Sequence, residues 1–309
     1  MNATGRKGLW LGFAGVAIFA LTLPMTRLAV GTPDAPLMSG AFIALGRAAV
    51  AAALSAVFLL ATRAPLPRRA DLWPLVLTAG GVVFGFPLFT SVAMRHVEAV
   101  HASVIVGVLP LATALVGALL HRQRPSPGFW LCAALGSVLV IGFAVLRSGS
   151  GLSLHVADVL LLAAMACAAV GYGYGAQLSQ RMCAEHVICW ALVLSWPLTL
   201  PLAWSTRPTI ALPASAWWAF GYVAVFSMWI GFFAWYRGLA LGGTVRVSQV
   251  QLVQPFLSML FAVPLLGERL DALTLAFALG VIATVFAGRR MPVRQPTPST
   301  ILSATLEPR

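Results

Sequence analysis

The sequence predicts an all-α integral membrane fold, with ten transmembrane helices arranged as two inverted five-helix repeats. Three observations carry this. First, the 309 residues are 60% hydrophobic and only 9% charged, against about 25% charged in soluble domains. Second, the apolar runs are separated by short Gly-, Pro- and Arg-rich segments, and at about 20 residues per crossing the length accommodates ten spans. Third, the stretch 236–269 echoes an earlier one without a gap. Val245, Ser248, Val253, Pro255, Leu260, Leu265 and Arg269 fall on Val100, Ser103, Val108, Pro110, Leu115, Leu120 and Arg124.

The crossings are expected at about 8–29, 37–61, 72–94, 99–120, 128–146, 156–179, 186–204, 215–237, 245–266 and 271–288. The first follows Arg6 and Lys7 and runs apolar from Gly8 to Val30. That exceeds the roughly 7–15 residues of a signal-peptide core, so it reads as a retained span. Turn and charge signals mark the breaks: Gly31 to Pro36, Arg63 to Asp71, Arg95 to Glu98, Arg122 to Pro127, Arg181 to Glu185 and Thr206 to Pro208. Gly242-Gly243 and Gly267-Glu268-Arg269 mark the later ones, and Ser148 to Gly151 is the joint between the halves. The expected units are therefore 8–147 and 155–288, followed by a disordered Pro- and Ser/Thr-rich cytoplasmic tail, 289–309.

With the N-terminus in the cytoplasm, fourteen Lys and Arg residues fall on the inner side and five on the outer, with Arg47 alone inside a span. This positive-inside bias places both termini in the cytoplasm of a bacterial inner-membrane protein. Five spans per half is an odd number, so the second half enters the membrane from the opposite side. Inverted repeats of this kind recur in secondary transporters, with the ligand near the midplane.

The sequence resembles the EamA family of the drug/metabolite transporter superfamily, the ten-helix exporter type. The resemblance rests on the five-plus-five layout and on two segments leading to a proline, Ala93 to Ser103 running to Pro110 and Gly238 to Ser248 running to Pro255. It rests also on the Gly267-Glu268-Arg269-Leu270 ending. The first half departs from this ending, with Gln123 where the second has Glu268. The resemblance implies a central cavity lined by helices 1, 3, 4, 6, 8 and 9, and export of small metabolites.

The candidate binding residues are polar or aromatic side chains inside apolar runs, where they need partners or water. At about 100° per residue, Ser248, Gln251 and Gln254 share one helical face. Trp229, Phe232 and Tyr236 form a stripe on helix 8, and Tyr172 and Tyr174 alternate with glycines on helix 6. Gly171 and Gly175 make a close-approach surface there. Packing and interfacial belts compete with cavity lining for each aromatic. Glu98 and His101 lie three residues apart on one face and are candidates for proton coupling or gating, as is Arg246, which stands where the first half has His101. His155 and Asp158 form a second such pair. Pro110 and Pro255 are candidate hinges. Arg47 is expected to find a structural partner.

Other classes find little support. The basic residues are scattered between apolar runs, which argues against nucleic acid. The four cysteines show no metal spacing, and there is no P-loop or hydrolase motif. No acid is expected at mid-membrane, no cofactor is expected, and the chain is expected to be a monomer in the lipid bilayer. The favoured cargo is an amino acid or an amino-acid-derived compound, including metal-chelating ones, moved outward. An aromatic or flavin-like nutrient moved inward is the alternative. A membrane enzyme on a lipid-linked substrate would need Glu98, His101, His155 and Asp158 as one cluster.

Overall fold

A computed structural model describes residues 3–120, 124–148, 155–242, 247–291 and 293–294. Among them seven helical stretches are long and apolar enough to cross a membrane: Thr4–Val30, Gly40–Ala61, Arg69–Ala93, Ala99–Gly117, Val156–Leu178, Ala184–Ser205 and Ala214–Gly242. Pro127–Ser148 is a further helix, and Gln254–Leu266 and Ala272–Thr284 are shorter apolar ones.

The elements begin with α1 Ala3–Ala20, α2 Thr22–Val30 and α3 Gly40–Ala61. The Ser39 hydroxyl caps α3 by accepting from the Phe42 N–H at 3.0 Å. Then come α4 Arg69–Thr78 and α5 Phe86–Ala93, joined by a π-helical turn at Ala79–Gly85. Next are α6 Ala99–Val106, α7 Leu109–Leu120 and α8 Pro127–Ser148. Past the joint lie α9 Val156–Leu178, α10 Ala184–Ser205, α11 Ala214–Tyr222 and α12 Gly231–Gly242, with a second π-helical turn at Val223–Ile230 between the last two. A 3-10 turn, Ser248–Val253, leads into α13 Gln254–Leu266, and α14 Ala272–Arg290 closes the set.

The irregular places recur at the offset that aligns Pro110 with Pro255. Both π-helical turns sit at matching positions. The ladder also breaks just before each proline, at Gly107–Val108 and again where the 3-10 turn gives way to α13. Proline has no N–H to donate, so the carbonyl one turn earlier is left free.

Helices α1 and α12 meet backbone to backbone. A Cβ on Gly8 would lie 2.5 Å from the Gly242 nitrogen, and one on Gly238 2.7 Å from the Gly12 nitrogen. Small residues permit such contact where lipid supplies no hydrophobic drive between helices. The outward surface is apolar, with Leu60 79% and Trp218 80% exposed, which suits a lipid solvent rather than water.

One end of the bundle gathers Arg27, Met94, Arg95, Ala99 and Glu268. The other carries the ion pairs Arg181–Asp71 at 3.8 Å and Arg237–Glu185 at 3.0 Å. The expected tail is corrected at its start. Arg289 and Arg290 continue α14, and β2 Val293–Arg294 pairs antiparallel with β1 Arg124–Pro125. The rest of the tail lies outside the described residues.

Candidate functional site

The bundle interior holds a small cavity lined by Phe19, Thr22, Arg47, Val82, Phe86, Tyr172, Ser227, Met228, Phe232 and Gln254. Both π-helical turns reach it, through Val82 and through Ser227 and Met228. Such turns widen a helix locally and often mark functional sites. About 20 Å³ of free space remains, room for a single water molecule.

Its walls are aromatic and its polar groups are under-satisfied. Phe19 stacks over Tyr172 at 6.4 Å and tilts against Phe232 at 5.0 Å. Thr22 and Ser227 share a buried hydrogen bond of 2.8 Å. Arg47 is 1% exposed, and its Nε and Nη1 have no hydrogen-bond partner. The Gln254 carbonyl oxygen and both amide atoms of Gln251 are likewise buried without partners, as is the Trp235 indole N–H. Buried polar groups are nearly always paired, and each exception needs an explanation.

A second buried polar feature pairs a histidine with one oxygen of a carboxylate, the Asp158 Oδ2 having no hydrogen-bond partner. The His101 Nε2 lies 2.6 Å from the Asp158 Oδ1, joining α6 to the first turn of α9, with the imidazole packed 5.0 Å from the Phe143 ring. Asp158 is 1% exposed.

Above it, at the Glu268 end, lies a wider, open cavity of about 800 Å³ lined mainly by loop and charged residues, among them Arg27, Glu98, Glu268 and Asp271. Its lining mixes charged side chains with apolar and loop residues, and it is open at that end of the bundle. Gly267 ends α13 in a left-handed conformation, φ 68°, which a residue with a side chain rarely adopts. The turn aims Glu268 at the start of α6, where it accepts from the Ala99 and Val100 N–H groups at 2.8 and 2.7 Å. Two orphan donors and the positive end of the helix dipole are thus met by one carboxylate. Burial pushes the Glu268 carboxyl above its usual range, and the two N–H donors pull it back part of the way. Arg27 donates to the Met94 and Arg95 carbonyls at 2.6 and 2.7 Å, closing the end of α5.

The expected residues divide accordingly. Tyr172, Phe232 and Gln254 line the cavity, and Gln251 is buried nearby on the same chain segment. Tyr236 does not line it: fully buried, its hydroxyl donates to the Gly171 carbonyl at 3.2 Å and ties α12 to α9. Trp229 packs instead against Phe58 and Phe233, at 6.1 and 5.0 Å, and Tyr174 is half-buried away from the lining. The Glu98–His101 pairing is corrected, since Glu98 is exposed at the mouth and His101 takes Asp158 instead. Asp158 lies in the first turn of α9, at a helix end as expected, and is nonetheless 1% exposed. Helix 2 joins the lining through Arg47, and helix 4 does not reach it. Arg246 lies outside the described residues, as does Gln123, and Ser248 is described only as the start of the 3-10 turn. Among the described residues no three His, Cys, Asp or Glu side chains gather for a metal.

Among the described residues, seven apolar helices long enough to cross a membrane, with broken helices beside a buried polar cavity, mark a multi-pass membrane protein. The chain belongs to the EamA-like transporter family, whose model matches it twice, over residues 6–146 and 155–287. It is 45% identical over 294 residues to a Bacillus subtilis protein named uncharacterized transporter YdeK, covering 94% of this chain and 99% of that one. It is 24% identical over 303 residues to a Streptantibioticus cattleyicolor protein named probable terminal-alkyne amino-acid exporter, covering 95% and 97%. A solved crystal structure shares the fold, with a TM-score of 0.61 at 22% identity over 98% of this chain and 99% of that one. The chain is thus a multi-pass membrane transporter and not an enzyme.

Proposed function

We propose that this transporter is an inner-membrane exporter of a small organic metabolite, an amino acid or a compound derived from one, working by alternating access. In this reading the ten helices form two inverted five-helix repeats, 8–147 and 155–288, with both termini cytoplasmic. The observation that carries it is the small aromatic cavity lined by Gln254, whose carbonyl oxygen lacks a protein partner, with the Gln251 amide buried and unpartnered nearby. Groups left unpaired in the protein are available to a ligand. The duplicated breaks before Pro110 and Pro255 supply matching hinges. The distant relative named as an amino-acid exporter supports the cargo class. Coupling to protons falls in this reading to His101 with Asp158, which meet at the junction of the two halves. The aromatic walls also favour a second reading, uptake of an aromatic or flavin-like nutrient.

The test is untargeted metabolite profiling of medium and cytoplasm from cells lacking and overproducing the chain. The export reading expects one compound to build up inside the deletion strain and outside the overproducer. Gln251→Ala and Gln254→Ala should each reduce that shift while the protein still inserts. A compound depleted from the medium by the overproducer would replace export with uptake, and no shift in either compartment would sink both readings.

A further inference from the structure

Arg47 stands near the middle of α3, 1% exposed, with the cavity beside it and with Nε and Nη1 unpartnered. A guanidinium keeps its charge in nearly every protein site, and an unpaired buried charge is costly. The described acids are occupied by other partners or exposed. Asp71 faces Arg181, Glu185 faces Arg237, and Asp158 faces His101. Glu268 caps α6, and Asp271 accepts from the Thr274 N–H at 2.8 Å. Asp34 and Glu98 are exposed at the mouth end. Packing does not require the arginine either. At the repeat offset the matching position on α10 is Leu192, fully buried, so an apolar side chain satisfies the same place in the other half.

We infer that Arg47 is the anchor for a carboxylate on the cargo, an inference that rests on the transporter reading above and names the chemistry of its ligand. The guanidinium fork matches a carboxylate in a bidentate pair. It is the one cation among the residues lining the cavity, which suits a single negative charge better than a phosphate dianion. The Gln254 carbonyl oxygen, also unpartnered, is free to accept from an N–H donor on the same ligand. Phe19, Phe86, Tyr172 and Phe232 leave an apolar surround for the remainder. The ligand class is therefore a monocarboxylate with an adjacent N–H donor and an apolar or aromatic side group.

The test uses the purified full chain in lipid nanodiscs and matched pairs of probes: L-phenylalanine with L-phenylalaninamide, L-leucine with L-leucinamide, and hydrocinnamate with hydrocinnamamide. Equilibrium binding should favour at least one carboxylate over its amide by about tenfold or more, a difference of about 1.4 kcal/mol. Arg47→Gln should erase the preference, and Arg47→Lys should keep part of it, which a packing role would not predict. Equal binding of carboxylate and amide, absence of binding by every carboxylate, or a preference that survives in Arg47→Gln would each overturn the anchor. Failure here is separable from failure of the transporter reading. A cargo without a carboxylate, found by metabolite profiling, removes the anchor and leaves transport standing. Carboxylate preference in nanodiscs without any exported compound does the reverse.

Discussion

Asp158 and Arg47 are equally buried, 1% exposed each, but the protein provides for them differently. Asp158 has a 2.6 Å contact with His101 and a phenyl ring packed over that imidazole. Arg47 has an aromatic cavity on one side and two nitrogens without partners. Both side chains face the same solvation cost. In one case the fold meets part of it, through one of the two carboxylate oxygens, and so joins α6 to α9, while Oδ2 stays unpartnered. In the other the protein supplies no partner to Nε or Nη1. The difference separates a buried charge that holds helices together from one kept for something that arrives from outside.

The comparison can be broken by substitution. Asp158→Leu strands the imidazole in the interior and should cost about 3–5 kcal/mol, read as a fall in the unfolding midpoint in nanodiscs. The double variant His101→Leu with Asp158→Leu should recover most of that loss, because both polar groups go together. A single variant as stable as the parent would show that the pair holds nothing. A smaller effect is expected at Glu268, which acts on a helix end rather than in the interior. Glu268→Ala removes the acceptor for the Ala99 and Val100 N–H groups and should cost about 0.5–2 kcal/mol, in line with other lost helix caps.

The smallest effect is one of pH. The Glu268 carboxyl sits above its unfolded value of about 4.3. Between the unfolded and folded values the folded protein holds the extra proton. Stability from this group is therefore fully present below the unfolded value, and is lost as pH rises through the folded one. Midpoints of the parent should rise slightly on acidification from neutral, relative to Glu268→Gln, whose curve should lack that component. Identical curves would remove the assignment.

The membrane class, the helix breaks at Pro110 and Pro255 and the special character of Gly267-Glu268 were all legible in the sequence, because each depends on local composition or on the chain's echo of itself. The polar pairings were not. Helical spacing matches Glu98 with His101 and His155 with Asp158, since residues three apart share a face. The fold takes one member from each pair and joins them across 57 positions. Nothing local records which faces of two distant helices meet. Tyr236 was legible as a buried polar aromatic, but whether its hydroxyl faces a cavity or the Gly171 carbonyl depends on how closely α12 approaches α9. The π-helical turns left a weak trace at Gly80-Gly81 and Gly85, and none that marks Val223–Ile230. Arg47 was visible as the one arginine inside a span, and the signal for its role was the leucine at the matching place in the other half.

The account turns on whether Arg47 serves the fold or the cargo. The most direct measurement sets the unfolding midpoint of Arg47→Met in nanodiscs beside its cargo flux per folded molecule in cells. Replacing a costly buried charge with an apolar side chain of similar length should leave the midpoint at or above that of the parent, while flux is lost. A midpoint that falls by several degrees while flux per folded molecule is unchanged would contradict the account and make Arg47 a structural residue.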